Sequence, residues 1–105
     1  MKLLVITSLK EHQKKAAQIL EEAGIAVFSV TETIGVKDHQ DSNLLDNWFS
    51  AGDEQFDSIF LFSFTDLEKA ERVLDLVKKY NTENETGFPL RAFIIPVDKS
   101  SHVTN

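Results

Sequence analysis

The sequence predicts a single α+β domain, one four-stranded antiparallel sheet with two helices on the same face. Three observations carry this. The chain repeats one design twice, an apolar strand, a Ser- or Thr-led helix start, an amphipathic helix and a second strand. The two helical stretches carry apolar residues at three- and four-residue spacing, so each has one face to bury. At 105 residues there is room for one core.

The first element is the apolar run Leu3–Ile6. Met1-Lys2-Leu3-Leu4-Val5-Ile6 begins like a secretory leader, but the run stops at Thr7 and Lys10-Glu11-His12-Gln13-Lys14-Lys15 follows, which points to a strand. Ser8-Leu9-Lys10-Glu11 has the Ser-x-x-Glu spacing of a capping box, in which each side chain satisfies a backbone N–H that a helix start leaves unpaired. The helix that follows turns Ala16, Ile19, Leu20 and Ala23 inward and should end at Gly24, the residue best suited to a left-handed terminus.

Ile25–Thr33, with Val27, Phe28, Val30, Thr31 and Thr33, has the β-branched and aromatic content of a second strand. Ile59–Phe64 reads as a third. Thr65-Asp66-Leu67-Glu68 is a second capping box, leading into a helix with Leu67, Ala70, Val73, Leu74 and Val77 inward. Asn81 to Gly87 is a polar turn, and Arg91–Val97 is a last strand in which Pro96 suits an edge or an end. The domain spans 1–98, with a long loop over 34–57 that contains a short helix or is mobile, and a loose tail over 99–105. Two βαβ halves interleave most simply as the ferredoxin-like βαββαβ sandwich.

This fold covers one sheet face with helices. Strands one and three are nevertheless apolar at consecutive positions, the mark of burial on both faces. Either the loop or tail folds over the second face, or copies of the chain pack their sheets together. The second is favoured, because a bare face rich in the chain's eight Phe would be a large apolar patch.

A formal net charge of −6 and a pI near 4.9 argue against nucleic acid as a partner, since phosphate backbones are held by clustered Lys and Arg. No stretch reads as a membrane insertion. The chain has no Cys, which excludes disulfides, a thiolate nucleophile and a Cys-based zinc site, and fits a cytoplasmic setting.

The stretch Leu20-Glu21-Glu22-Ala23-Gly24-Ile25-Ala26-Val27-Phe28-Ser29-Val30-Thr31-Glu32-Thr33-Ile34-Gly35 resembles the corresponding part of the PII nitrogen-regulatory proteins. There too a helix, a Gly-Ile or Gly-Val start, a Thr-Glu-rich strand and a Gly-bearing loop follow one another. Phe93-Ile94-Ile95-Pro96-Val97-Asp98 is similar to that family's closing strand. The resemblance implies a PII-like signalling protein: a homotrimer with sheets facing its axis, binding an adenine nucleotide or another small anion in clefts between subunits and regulating a partner such as a membrane transporter or enzyme. By position it implies ligand contacts at Thr31, Thr33 and Gly35, with Lys37 and Arg91 as anion partners. Leu44, Trp48 and Phe49 would share one face of a short loop helix and meet either the partner or the protein itself.

Two departures from the family stand out. Gly87-Phe88-Pro89-Leu90-Arg91 occupies the place of a Gly-Asp-Gly-Lys phosphate loop, so only Arg91 keeps a basic position. The long loop is shorter and has no Tyr for nucleotidylation.

No Ser-His-Asp ordering, motif-framed carboxylate pair or Gly-rich phosphate loop is present, so the sequence asks for no enzyme. A small ferredoxin-like monooxygenase would need a catalytic polar group in a deep pocket, and no candidate is found. His39 and Asp41, in Asp38-His39-Gln40-Asp41, are the weak candidates for a metal. They are the basis of the alternative function, a divalent-metal tolerance protein of the CutA kind, although adjacent residues rarely converge on one ion. His12 reads as a partly buried packing residue, and Glu68, Glu71 and Asp75 with Lys69, Arg72, Lys78 and Lys79 as a solvated helix face.

Overall fold

The computed structural model describes residues 1–36, 55–84 and 89–101. The element order is β1 (Lys2–Leu9), a short 3-10 turn (Lys10–His12), α1 (Gln13–Glu22), β2 (Ser29–Val36), β3 (Gln55–Thr65), α2 (Leu67–Glu83) and β4 (Arg91–Pro96). The sheet runs β2-β3-β1-β4 with every neighbouring pair antiparallel, which is the ferredoxin-like arrangement expected. β2 and β4 are its two edges, and Pro96 closes an edge strand, where a missing N–H costs no ladder bond.

Cross-strand partners point to the same face. Leu4 and Ile6 of β1, Ile59 and Leu61 of β3, and Ala92 and Ile94 of β4 therefore form one face. They pack against Ala16, Ile19, Leu20, Ala70, Val73 and Val77 of the helices. Leu74 is only half-buried, and Leu67, the first residue of α2, is exposed. The outer face of α2 is charged and exposed throughout, as expected.

The end of α1 follows the expected chemistry closely. Gly24 has φ +89, its N–H donates to Glu21 O at 3.0 Å, and Ile25 N–H donates to Leu20 O at 2.9 Å. This is the Schellman pattern, completed by burial of Leu20 and Ile25 together in the core. It also delays β2: Ile25 serves the helix end and the core, so the strand starts at Ser29 and not at Ile25.

Both helix starts differ from the capping boxes. Ser8 remains in β1, paired with Ile59, and its Oγ donates to Leu9 O at 2.8 Å. The ladder holds Ser8 extended, so the chain enters α1 through the 3-10 turn, without a side-chain cap at Leu9 or His12. Thr65 is likewise held in the ladder opposite Lys2, and the cap passes to Asp66, whose Oδ1 accepts from Lys69 N–H at 2.8 Å. The expected polar turn at Asn81 is still helix, since α2 runs to Glu83. The long loop is shorter than 34–57, because β2 and β3 pair out to Val36 opposite Gln55. Among the described residues no helix is long and apolar enough to cross a membrane.

Candidate functional site

The face without helices divides into two ends. Toward the N-terminal end of β1, the rows are Ser29–Phe62–Val5–Phe93 and Phe64–Leu3–Ile95. Phe64 at 59% and Ile95 at 37% relative exposure leave this end apolar and partly open. Toward the C-terminal end of β1 the rows become Thr31–Phe60–Thr7–Arg91 and Thr33–Ser58–Leu9. The change from aromatic to hydroxyl and guanidinium side chains falls at the end from which residues 37–54 depart and at which β4 begins.

Three of the residues expected to bind a ligand stand in these two polar rows. Thr31 is exposed on β2 opposite Phe60. Thr33 is half-buried opposite Ser58, and its Oγ1 is buried without a hydrogen-bond partner. Arg91 opens β4 opposite Thr7, and its Nε is buried without a hydrogen-bond partner. A buried polar group left unbonded costs roughly 1–3 kcal/mol, so two at one end of a sheet need a reason. Gly35 lies one pair from the end of β2, opposite Phe56. Lys37, Leu44, Trp48 and Phe49, and the metal candidates His39 and Asp41, lie outside the described residues.

The structure does not bring Thr31 and Arg91 together within one chain. They occupy opposite edges of the sheet, three strand spacings apart, about 14 Å at the usual 4.8 Å between strands. Arg91 instead borders a cleft of about 490 Å³ between α2 and β4, lined also by Lys78, Asn81 and Phe93.

Beside Thr33 is a second cleft, of about 510 Å³, lined by Lys10, Glu32, Ile34, Asp57 and Ser58 as well. Lys10 Nζ reaches across from the 3-10 turn to Glu32 Oε1. The hydrogen bond from Lys10 and the charge of Glu32 hold the ammonium above the ordinary lysine value, and Asp57 adds to this. Reading the sequence did not single out Lys10, Glu32 or Asp57. The available signal was Glu32 itself, a charge set between Val30 and Ile34 in an otherwise apolar alternation on an edge strand. Among the described residues no group of three or more His, Asp or Glu could hold a metal ion.

Comparison with solved structures decides the fold family. A structure described as that of a PII-like signalling protein of Thermus thermophilus superposes with TM-score 0.60 at 15% identity, covering 89% of this chain and 82% of that one. The nitrogen-regulatory PII-like protein CPII of Thiomonas intermedia, bound to ADP, AMP and acetate, gives 0.62 at 14%, covering 90% and 82%. The same protein bound to ADP, AMP and bicarbonate gives 0.57 at 15%, covering 94% and 93%. This chain has the PII-like fold. The likeness runs over most of this chain and most of each of the solved ones. No family model matches the sequence, and no curated protein matches it.

Proposed function

We propose that this chain is a PII-like ligand-sensing signalling protein. It binds an adenine nucleotide or another small anion in clefts between copies of itself and regulates a partner, a membrane transporter or enzyme, through residues 37–54. The observation that carries the reading is the pair of buried, unbonded polar groups, Thr33 Oγ1 and Arg91 Nε, on opposite sheet edges at one end of the fold. Its support is the PII-like fold, whose solved examples include one bound to ADP and AMP.

In a homotrimer with the sheets turned inward, the apolar rows around Phe62, Phe64, Phe93 and Ile95 meet their counterparts about the axis. The β2 edge of one copy then stands beside the β4 edge of the next. Thr31, Thr33 and Gly35 of one copy share a cleft with Arg91 of its neighbour, and Lys37 is a further anion partner. A guanidinium with a free Nε–H suits a phosphate or carboxylate oxygen, and a threonine hydroxyl suits a sugar or phosphate oxygen. The reading is of a cytoplasmic binding protein that reports occupancy, with no reaction assigned to it.

Isothermal titration of the full chain with ADP, AMP and ATP tests it. Saturable binding is expected with at least one nucleotide, weakened at least tenfold in Arg91→Ala, since hydrogen bonds to charged groups are worth about 1.5–3 kcal/mol each. Absence of heat with all three nucleotides would remove the nucleotide reading.

A further inference from the structure

We infer that Asn81 is the positioning residue for Arg91, holding the start of β4 so that the guanidinium is in place before any ligand arrives. This rests on the proposed role of Arg91 as an anion partner. Asn81 lies in the last turn of α2 and makes two hydrogen bonds to one backbone unit. Its Nδ2 donates to Leu90 O at 2.8 Å, and its Oδ1 accepts from Leu90 N–H at 3.0 Å. The side-chain amide thus does for Leu90 what a neighbouring strand would do.

The consequences reach Arg91 through two connected facts. Leu90 is 2% exposed and belongs to the core, so the clamp ties a backbone unit already anchored by its side chain. Arg91 is the next residue and forms the last pair of the β1–β4 ladder, with Thr7. End pairs of a ladder open most readily, and this one begins a strand at the sheet edge. With Leu90 fixed on both its N–H and its C=O, the final pair is held from outside as well as from within. Asn81 and Arg91 also line the same cleft, with Lys78 the other cation on its wall. A buried Nε without a partner keeps its orientation only if its backbone is held, because no bond at the nitrogen itself fixes it.

The test has one arm without ligand and one with it. In the unliganded protein, hydrogen exchange at Arg91 Nε–H, read by nitrogen-15 NMR, should quicken about tenfold or more in Asn81→Ala, as expected when a local opening is released. In the second arm, ADP affinity is measured for the wild type, Asn81→Ala, Arg91→Ala and the double variant. Asn81→Ala should weaken binding about tenfold in the wild-type background and less than about twofold once Arg91 is gone, the coupling expected of residues acting as a unit.

Equal losses in both backgrounds would make Asn81 a direct contact or a general stabiliser and overturn the inference. Unchanged exchange and affinity in Asn81→Ala would overturn it as well. If the wild type bound none of ADP, AMP and ATP while exchange still quickened, Asn81 would keep its hold on Arg91 and the nucleotide reading would fail alone. Should Asn81→Ala not fold, Asn81→Ser, which keeps one polar group at the helix end, enters both arms under the same expectations.

Discussion

The two faces of this sheet are built from the same kinds of residue and do different things. On the helix side, Leu4, Ile6, Ile59 and Leu61 are at most 1% exposed, and α1 and α2 account for their burial. On the other side Val5, Phe62 and Phe93 stand in rows of equal apolarity that run out to Phe64, 59% exposed. The first face is finished within one chain, whereas the second is left partly open at its apolar end and with two unbonded polar groups, Thr33 Oγ1 and Arg91 Nε, at its polar end. Apolar content alone therefore does not say what a strand is packed against. The topology of the connections does, because both crossover helices must lie on one side of the sheet.

The sharpest way to separate the faces is to damage each. Leu61→Ala opens a cavity under both helices and should cost about 2–5 kcal/mol, a large share of the roughly 5–15 kcal/mol typical of a domain. Urea denaturation reads this directly, and a loss below about 1 kcal/mol would show that the helix face is not the stability-determining one. Phe64→Asp, on the open face, should leave the fold of a single chain within about 1 kcal/mol of the wild type. Under the proposed assembly it should instead reduce the mass in light scattering from three chains to one. A wild type that already runs as one chain would sink the assembly.

A smaller effect distinguishes the two helix starts. Asp66→Ala removes the one side-chain cap of α2 and should cost about 1 kcal/mol, seen as a melting temperature lower by several degrees. Ser8→Ala should not change the helicity of α1, because Ser8 caps nothing. It loses only the bond to Leu9 O. If Ser8→Ala were the more damaging to helicity, β1 would have to end earlier than Leu9.

These starts also show what the sequence could and could not tell. The stripe Ala16, Ile19, Leu20, Ala23 and the left-handed Gly24 are legible because spacing and glycine conformation are local matters. The capping boxes are misplaced because a Ser or Thr can serve a ladder as well as a helix, and strand pairing with partners distant in the chain, Ile59 for Ser8 and Lys2 for Thr65, claims both first. The polar end of the open face is half legible. Thr31, Thr33 and Arg91 come from the family resemblance, whereas their placement in two adjacent rows depends on register, which a single strand does not encode. Asn81 reads as the beginning of a turn, since nothing local shows that its amide meets the backbone of Leu90 nine residues on.

The weakest expected effect concerns Lys10, and it distinguishes the cleft beside Thr33 from the buried parts of the molecule. The Lys10–Glu32 pair has side-chain exposures of 57% and 63%, so water screens most of its attraction and it should add little to stability. Glu32 raises the ammonium's pKa in the folded chain, so the pair's contribution is fully present below the unfolded lysine value and is lost as pH rises through the higher folded one. Melting temperature should therefore show no step from this pair between neutral pH and about pH 10. Lys10→Gln should lower it by a few degrees at most, and by less at about 1 M salt, where the screening length falls to about 3 Å. A loss as large as that of Leu61→Ala would mean that Lys10 is held in a closed environment. The cleft would then belong to the interior of the molecule and not to its surface.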